Sequence, residues 1–228
     1  MIGIIAAMQK EVNNFLNMMK DYKETKIHHI TFYEGKVGNN DIVLCVSGIG
    51  KVSAGLIVSI MVDHFNGITN IINMGVSGGY YGAVQCGDVV VGTKYSYADV
   101  DTTCFEGYLY GQVPNLPQFY NGDQELIKKI KTNVIYGTIL TGDKFYTSSL
   151  ECEKIVNEHF KNDHVCAFDM ESTAFAQACY LLDVPFLSIR AISDVIGNKD
   201  DATSRYNNYV EIACKKANDV LFEILNSL

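Results

Sequence analysis

The sequence predicts an α/β fold: a single domain over residues 1–228, with a central mixed β-sheet flanked by helices. Three observations carry that expectation. Apolar runs of strand length recur with little alternation, as strands buried on both faces require. Stretches with helical spacing lie between them, the pattern of an α/β chain. No internal repeat, Pro- or Ser-rich linker or charge block marks a boundary, and 228 residues suit one domain of somewhat above average size.

Ile2–Ala7 is the first apolar run. The N-terminal stretch MIGIIAAMQKE lacks a basic region and turns polar by Gln9, so it reads as a strand and not as a signal peptide. Helical spacing over Glu11–Met19 is followed by the run Ile42–Val46 and the amphipathic stretch Val52–Phe65. Asn70–Met74 is the next strand. The glycine-rich Gly75-Val76-Ser77-Gly78-Gly79 directly after it is expected to turn sharply or to let backbone approach a ligand. Val89–Val91 leads into a long loop, Tyr95–Tyr120, holding Tyr95, Tyr97, Phe105, Tyr108, Tyr110, Phe119 and Tyr120. Loops of this length in compact domains serve as lids or interface segments. A helix over Gln124–Thr132, a strand over Val134–Leu140 and helices over Leu150–His159 and Glu171–Leu182 come next. The strand Phe186–Ile192 and a last helix, Tyr206–Leu225, complete the order.

Charge narrows the partners. Eighteen basic against 26 acidic residues give −8, a field that disfavours nucleic acid and anionic membranes and suits a small neutral or zwitterionic ligand. The longest apolar run, near Leu56–Val62, falls far short of the roughly 20 residues that span a bilayer. Seven scattered cysteines without a C-x-x-C read as reduced thiols of a cytoplasmic protein. The five histidines sit at helix ends or in polar stretches without metal-ligand spacing, and each reads as a solvated surface residue. Gly48-Ile49-Gly50 fails the dinucleotide fingerprint, Gly50-Lys51 fails the phosphate-loop pattern, and neither H-E-x-x-H nor G-x-S-x-G occurs.

Carboxylates at strand ends carry more information, because ligands of such sheets gather there. Glu11 follows the first strand, where a helix N-terminal acid is the plain alternative. Glu171 opens a small-residue helix, with capping as its plain alternative. Arg190 enters an otherwise apolar strand and Asp194 leaves it, which packing alone does not explain, since a buried charge needs a partner. Carboxylates converging on one pocket suit acid/base cleavage of a glycosidic bond.

In order, G-I-I-A-A-M-x-x-E at Gly3–Glu11, S-G-I-G-K at Ser47–Lys51, N-M-G-V-S-G-G at Asn73–Gly79, G-D-x-F at Gly142–Phe145, D-M-E-S-T-A at Asp169–Ala174 and R-A-I-S-D at Arg190–Asp194 stand in the chain. Together they resemble the 5′-methylthioadenosine/S-adenosylhomocysteine nucleosidases of the purine nucleoside phosphorylase-like superfamily, over nearly the whole chain. The resemblance implies a homodimer without metal or cofactor that releases adenine from both nucleosides by hydrolysis. It makes Asp194 the acid that protonates adenine N7, with Ser193 positioning it, and Glu11 the carboxylate that activates water. Glu171 would accept the ribose hydroxyls with Met170 against the sugar, Phe145 would stack on adenine, and Tyr146 would meet the base edge through its backbone. Arg190 would lie near the water. Met8, Ile49, Val76, Ser77 and Gly78 would line the site, Tyr206 would close the 5′-alkylthio pocket, and Phe105 would reach in from the partner subunit.

Three departures bear on these expectations. Val76 stands where a small polar residue is usual, residues 195–205 run about two longer than typical, and the loop near Thr102–Glu106 is also extended. Three alternatives remain: a phosphate-dependent purine nucleoside phosphorylase, a nucleosidase preferring another 5′-substituted adenosine, and a nucleoside-binding protein without activity. The first needs arginines on phosphate, whereas the chain has only Arg190 and Arg205 and puts Glu11 after its first strand.

Overall fold

A computed structural model describes residues 1–197 and 202–228, and side chains except those of Asn14 and residues 202–209. Its elements run β1 (Ile2–Ala6), α1 (Gln9–Leu16), β2 (Lys20–Ile27), β3 (Ile30–Val37), β4 (Asn40–Val46), α2 (Lys51–His64), β5 (Asn70–Gly79) and β6 (Val89–Tyr97). There follow β7 (Tyr120–Asn121), α3 (Gln124–Ile127), β8 (Ile135–Thr141), α4 (Ser149–His159), β9 (Val165–Asp169), α5 (Ser172–Leu181), β10 (Phe186–Val195) and α6 (Ala202–Asn226).

All the strands join one mixed sheet. β4, β1, β5 and β10 run parallel, β6, β8 and β9 run parallel to one another, and the two sets meet antiparallel at β5–β9 and β10–β6. Because β10 pairs with both β5 and β6, the strands β5-β10-β6-β8-β9 close into a ring, with β1, β4, β3 and β2 extending from β5. The C-terminal end of β9 therefore arrives beside Gly78 and Gly79 of β5.

Local sequence explains the layers. β1 and β10 are buried along their whole length, which their apolar runs require. On α2, Ala54, Ile57, Val58 and Met61 form the buried stripe at three- and four-residue spacing. Each such aliphatic side chain contributes about 1.5–3 kcal/mol when fully buried. Helix α5 is built from Ser172, Thr173, Ala174 and Ala176, small enough to sit close against the ring.

Several expectations need correction. Gly75–Gly79 is not a turn: β5 continues through it to Gly79, because pairing with both β10 and β9 saturates its backbone. Tyr95 and Tyr97 belong to β6 and Tyr120 to β7, so the aromatic loop is confined to residues 98–119. The helix expected over Gln124–Thr132 stops at Ile127. Strands β2, β3, β7 and β9 lie outside the apolar runs that the sequence offers as strands. His159 is not simply solvated, since its ring stacks on Tyr110 at 4.0 Å.

Candidate active site

The site grows from chain segments that leave β1, β5, β9 and β10. Glu11 is the third residue of α1, and its Oε2 accepts from the Met8 amide at 2.8 Å, so the helix-terminal role expected of it is real. The other oxygen does something a capping acid has no need of: Oε1 accepts from the Val76 amide of β5 at 3.2 Å. Val76 thus contributes backbone where a polar side chain was expected. Burial pushes the Glu11 carboxyl above its ordinary range, against the pull of Arg190 and of the Met8 and Val76 amides.

Arg190 is 1% exposed and resolves the puzzle of a charge in an apolar strand. Its Nη2 lies 2.9 Å from Asp169 Oδ2 and 3.4 Å from Glu171 Oε2, while Nη1 donates to the Val76 carbonyl at 3.4 Å. The third nitrogen enters a chain of buried hydroxyls. Arg190 Nε donates to Ser172 Oγ (3.2 Å), Ser172 and Ser188 share a 2.8 Å hydrogen bond, and Ser188 Oγ donates to Asn73 Oδ1 (3.1 Å). Each hydroxyl has one proton, so Ser172 donates to Ser188 and the chain runs one way from the cation. Asn73 ends it by donating to the Ile5 carbonyl at 2.9 Å. Gly75 leaves room for this assembly, since a Cβ there would stand 2.5 Å from Arg190 Nη1 and 2.6 Å from Glu11 Oε1.

Glu171 precedes α5 without capping it. Asp169 caps instead, accepting from the amides of Glu171 (3.3 Å) and Ser172 (3.2 Å), and also from Thr141 Oγ1 at 2.6 Å. This frees the Glu171 carboxylate to reach Arg190 and, through Oε1, the Gly50 amide at 3.0 Å. Burial foremost, with the neighbouring charges of Asp169 and Glu11, pushes Glu171 up to about 7 despite Arg190. Arg190 itself is held charged by Asp169, Glu171 and Glu11, which outweigh its burial.

Asp194 reaches the site through a β-bulge. Ile192 pairs with Ser77 and Asp194 with Gly78, leaving Ser193 as the extra residue. The bulge resets the alternation of β10 and re-aims the side chains that follow. Ser193 Oγ donates to Asp194 Oδ1 at 2.8 Å and lies 3.4 Å from the Ser77 carbonyl, so the hydroxyl ties the acid to β5. Both residues are buried.

These groups line one pocket of about 610 Å³, counted to its open mouth. It brings together Glu11, Asp194, Met8, Ile49, Val76, Ser77, Gly78, Phe145, Tyr146, Met170, Glu171, Arg190 and Ser193 from the sequence expectation. Phe145 stands at the rim, 51% exposed, whereas the Tyr146 ring is buried and packs on Phe168 at 5.0 Å. Phe105 does not line this pocket and is 63% exposed on the loop 98–119. The side chain of Tyr206 lies outside the described residues. Sequence reasoning missed Asp169, Lys144 and Phe168, which also line the pocket. Arg190 carried the signal for the first, since a buried cation demands a nearby carboxylate. Among the described residues no grouping of three His, Cys, Asp or Glu side chains could hold a metal ion.

A cavity walled by four carboxylates, one arginine and an aromatic shelf suits a neutral base joined to a sugar that becomes cationic. Comparison with known proteins decides the family. A family model described as the phosphorylase superfamily matches residues 1–228. A 5′-methylthioadenosine/S-adenosylhomocysteine nucleosidase from Listeria monocytogenes is 38% identical, over 100% of this chain and 99% of its own. The chain belongs to this nucleosidase family of the phosphorylase superfamily. The structure agrees with those of other nucleosidases. The fold is similar to the Streptococcus pneumoniae MTA/SAH nucleosidase in complex with 8-aminoadenine, with a TM-score of 0.92, 34% identity and coverage of 100% and 99% of the two chains. The Neisseria meningitidis nucleosidase in complex with methylthio-immucillin-A gives 0.91 and 34%, again covering 100% and 99%.

Proposed function

We propose that this chain hydrolyses the N-glycosidic bond of 5′-methylthioadenosine and S-adenosylhomocysteine, releasing adenine and the 5-thioribose product. The observation that carries the reading is the convergence of Glu11, Glu171 and Asp194, from three distant strand ends, on one buried pocket with an aromatic rim. Asp194, steadied by Ser193, protonates adenine N7, so that the bond electrons leave with a neutral base. The ribosyl cation that remains is flanked by Glu171, which accepts the sugar hydroxyls, and by Glu11. Water adds to the anomeric carbon as Glu11 takes its proton. Met8, Ile49, Val76, Ser77, Gly78 and Met170 shape the cavity around base and sugar. These reactions serve methionine salvage and removal of a methylation by-product in the cytoplasm, where seven unpaired cysteines stay reduced.

Hydrolysis is favoured over phosphorolysis by what surrounds Arg190. Its guanidinium is already engaged by Asp169 and Glu171, and Lys144 is paired with Glu151 at 2.6 Å. The deciding assay is adenine release from methylthioadenosine with and without phosphate, repeated on a panel of 5′-substituted adenosines. Release that requires phosphate overturns the reading, and a stronger preference for another 5′-substituent narrows it.

Assembly follows from a neighbouring face. Val52 (82% exposed) on α2 and Leu181 on α5 leave apolar side chains in water along a groove between α2, α5 and the loop residues Val100 and Val113, and Leu56, Phe105 and Leu109 are exposed as well. We read this face as the homodimer interface, with Phe105 passing to the partner's site. Sedimentation of an active monomer at micromolar concentration would overturn it. Among the described residues no helix is long and apolar enough to cross a membrane.

A further inference from the structure

The adenine-facing loop 142–148 has no regular structure, yet it must hold the half-exposed Phe145 against a base. Its start is tied by the Gly142 amide to the Asp169 carbonyl at 3.1 Å. Beyond the Lys144 pair with Glu151 and the packing of Tyr146 on Phe168, the loop is tied through Asp143 to Lys51 and Asp99. The Asp143 amide donates to Asp99 Oδ2 (2.8 Å), the Lys51 amide donates to Asp143 Oδ1 (2.8 Å), and Lys51 Nζ lies 2.8 Å from both Asp99 oxygens and 3.9 Å from Asp143 Oδ2. The ring of Tyr97 lies 5.2 Å from the same ammonium. Lys51 does not line the pocket.

From this geometry we propose that Lys51 is a positioning residue for the adenine shelf, acting through Asp99 and Asp143. Two carboxylates share one small cluster, and the ammonium is the cation that lets both stay beside the loop. Gly50, at a φ of +97° that favours glycine, sets the two adjacent amides of this turn in different directions: its own to the ribose-side Glu171 and that of Lys51 to the base-side Asp143. Lys51 therefore fixes the spacing between the group that holds the sugar and the loop that holds the base. The three side chains are between a fifth and a half exposed, so their loss perturbs a loop and not the core.

The assignment rests on the nucleosidase reading, and the test separates the two. Adenine alone reports on the shelf, so its Kd is measured by calorimetry for the parent, Lys51→Met, Lys51→Arg and Asp99→Asn, beside KM and kcat for methylthioadenosine. Lys51→Met should raise the adenine Kd and the KM together, about five- to thirtyfold, with kcat within about threefold. Lys51→Arg, whose fork can span both Asp99 oxygens, should recover most of the affinity, and Asp99→Asn should lose part of it. An adenine Kd within twofold of the parent in both Lys51→Met and Asp99→Asn overturns the assignment. So does an equal loss in the Met and Arg variants, because charge would then not matter. A parent that fails to bind adenine overturns the nucleosidase reading, and this assignment with it.

Discussion

On the floor of the pocket, Arg190 lies between Asp169 and Glu171 at 1% exposure, with backbone from β5 on one side and a chain of buried serines on the other. On the rim, Lys144 pairs with Glu151 at half exposure, and Phe145 is held by a loop without regular structure. The same kinds of charge are thus used in two dielectric settings. Buried charges cannot be left unpaired, so the floor is over-determined and fixes chemistry. Exposed pairs cost little to break, so the rim can yield to admit a substrate. Substitutions on the floor should act on kcat or on folding, and those on the rim on KM.

The largest expected effect is at Asp194. Asn there can hydrogen-bond N7 but has no proton to deliver, so Asp194→Asn should keep substantial affinity while single-turnover adenine release falls about 10²–10⁴-fold. Glu11→Gln should likewise lose turnover and keep the adenine contacts. Turnover within a few-fold of the parent for Asp194→Asn removes it as the acid and blurs the contrast between floor and rim.

Next comes the partner of the buried cation. Asp169→Ala strips Arg190 of its 2.9 Å carboxylate and α5 of its cap, and should cost about 3–5 kcal/mol in urea unfolding. Lys144→Ala, which breaks a rim pair, should cost under about 1 kcal/mol. Equal costs for the two would dissolve the distinction.

Phe145→Ala tests the rim by binding. Base–aromatic stacking is worth about 1–3 kcal/mol, so KM should rise roughly five- to 150-fold while kcat stays close to the parent's. A collapse of kcat at constant KM would move Phe145 into the chemistry.

The smallest effect sharpens the comparison through pH. Glu171 is raised from 4.5 to about 7 in the folded protein, so the native state holds its proton more tightly than the unfolded chain does. Its contribution to stability is fully present below about pH 4.5 and is lost as pH rises through about 7. Glu171→Gln lacks this titration. Between pH 5 and pH 8 the stability of the variant should gain on that of the parent by on the order of 1 kcal/mol. Parallel pH profiles would show that Glu171 is ionised throughout.

What could be read in advance follows the same division. Strands buried on both faces announced themselves as apolar runs in β1, β4, β5, β6, β8 and β10. The strands β2 (KDYKETKI) and β3 (ITFYEGKV) escaped because they are exposed or half-exposed, and their polar alternation imitates loop sequence. β9 (VCAFD) is as short as β1, but its apolar residues end in Asp169 beside the acid-bearing D-M-E, so it reads as part of that motif and not as a strand. In the site, Glu11, Glu171 and Asp194 were legible as acids at strand ends. Asp169 was hidden by its neighbour, because only coordinates show that Arg190 takes both acids of D-M-E. The bulge at Ser193 left no mark in the sequence, as it arises from pairing with β5 more than a hundred residues away.

That pairing has a consequence for the birth of the molecule. Synthesis makes Glu11 long before the strand that carries Asp194. Asn218, in the final helix, donates to the Glu11 carbonyl at 3.3 Å and joins the two ends of the chain. A chain grown as far as residue 180 already has Glu11, Phe145 and Glu171, but neither Arg190, which pairs with Asp169 and Glu171, nor Asp194. Its ring of strands stays open at β5, with an unpaired edge. Closure across so long a separation is slow, so the pocket is complete only once β10 has been made and paired, and until then the open edge is exposed to mispairing.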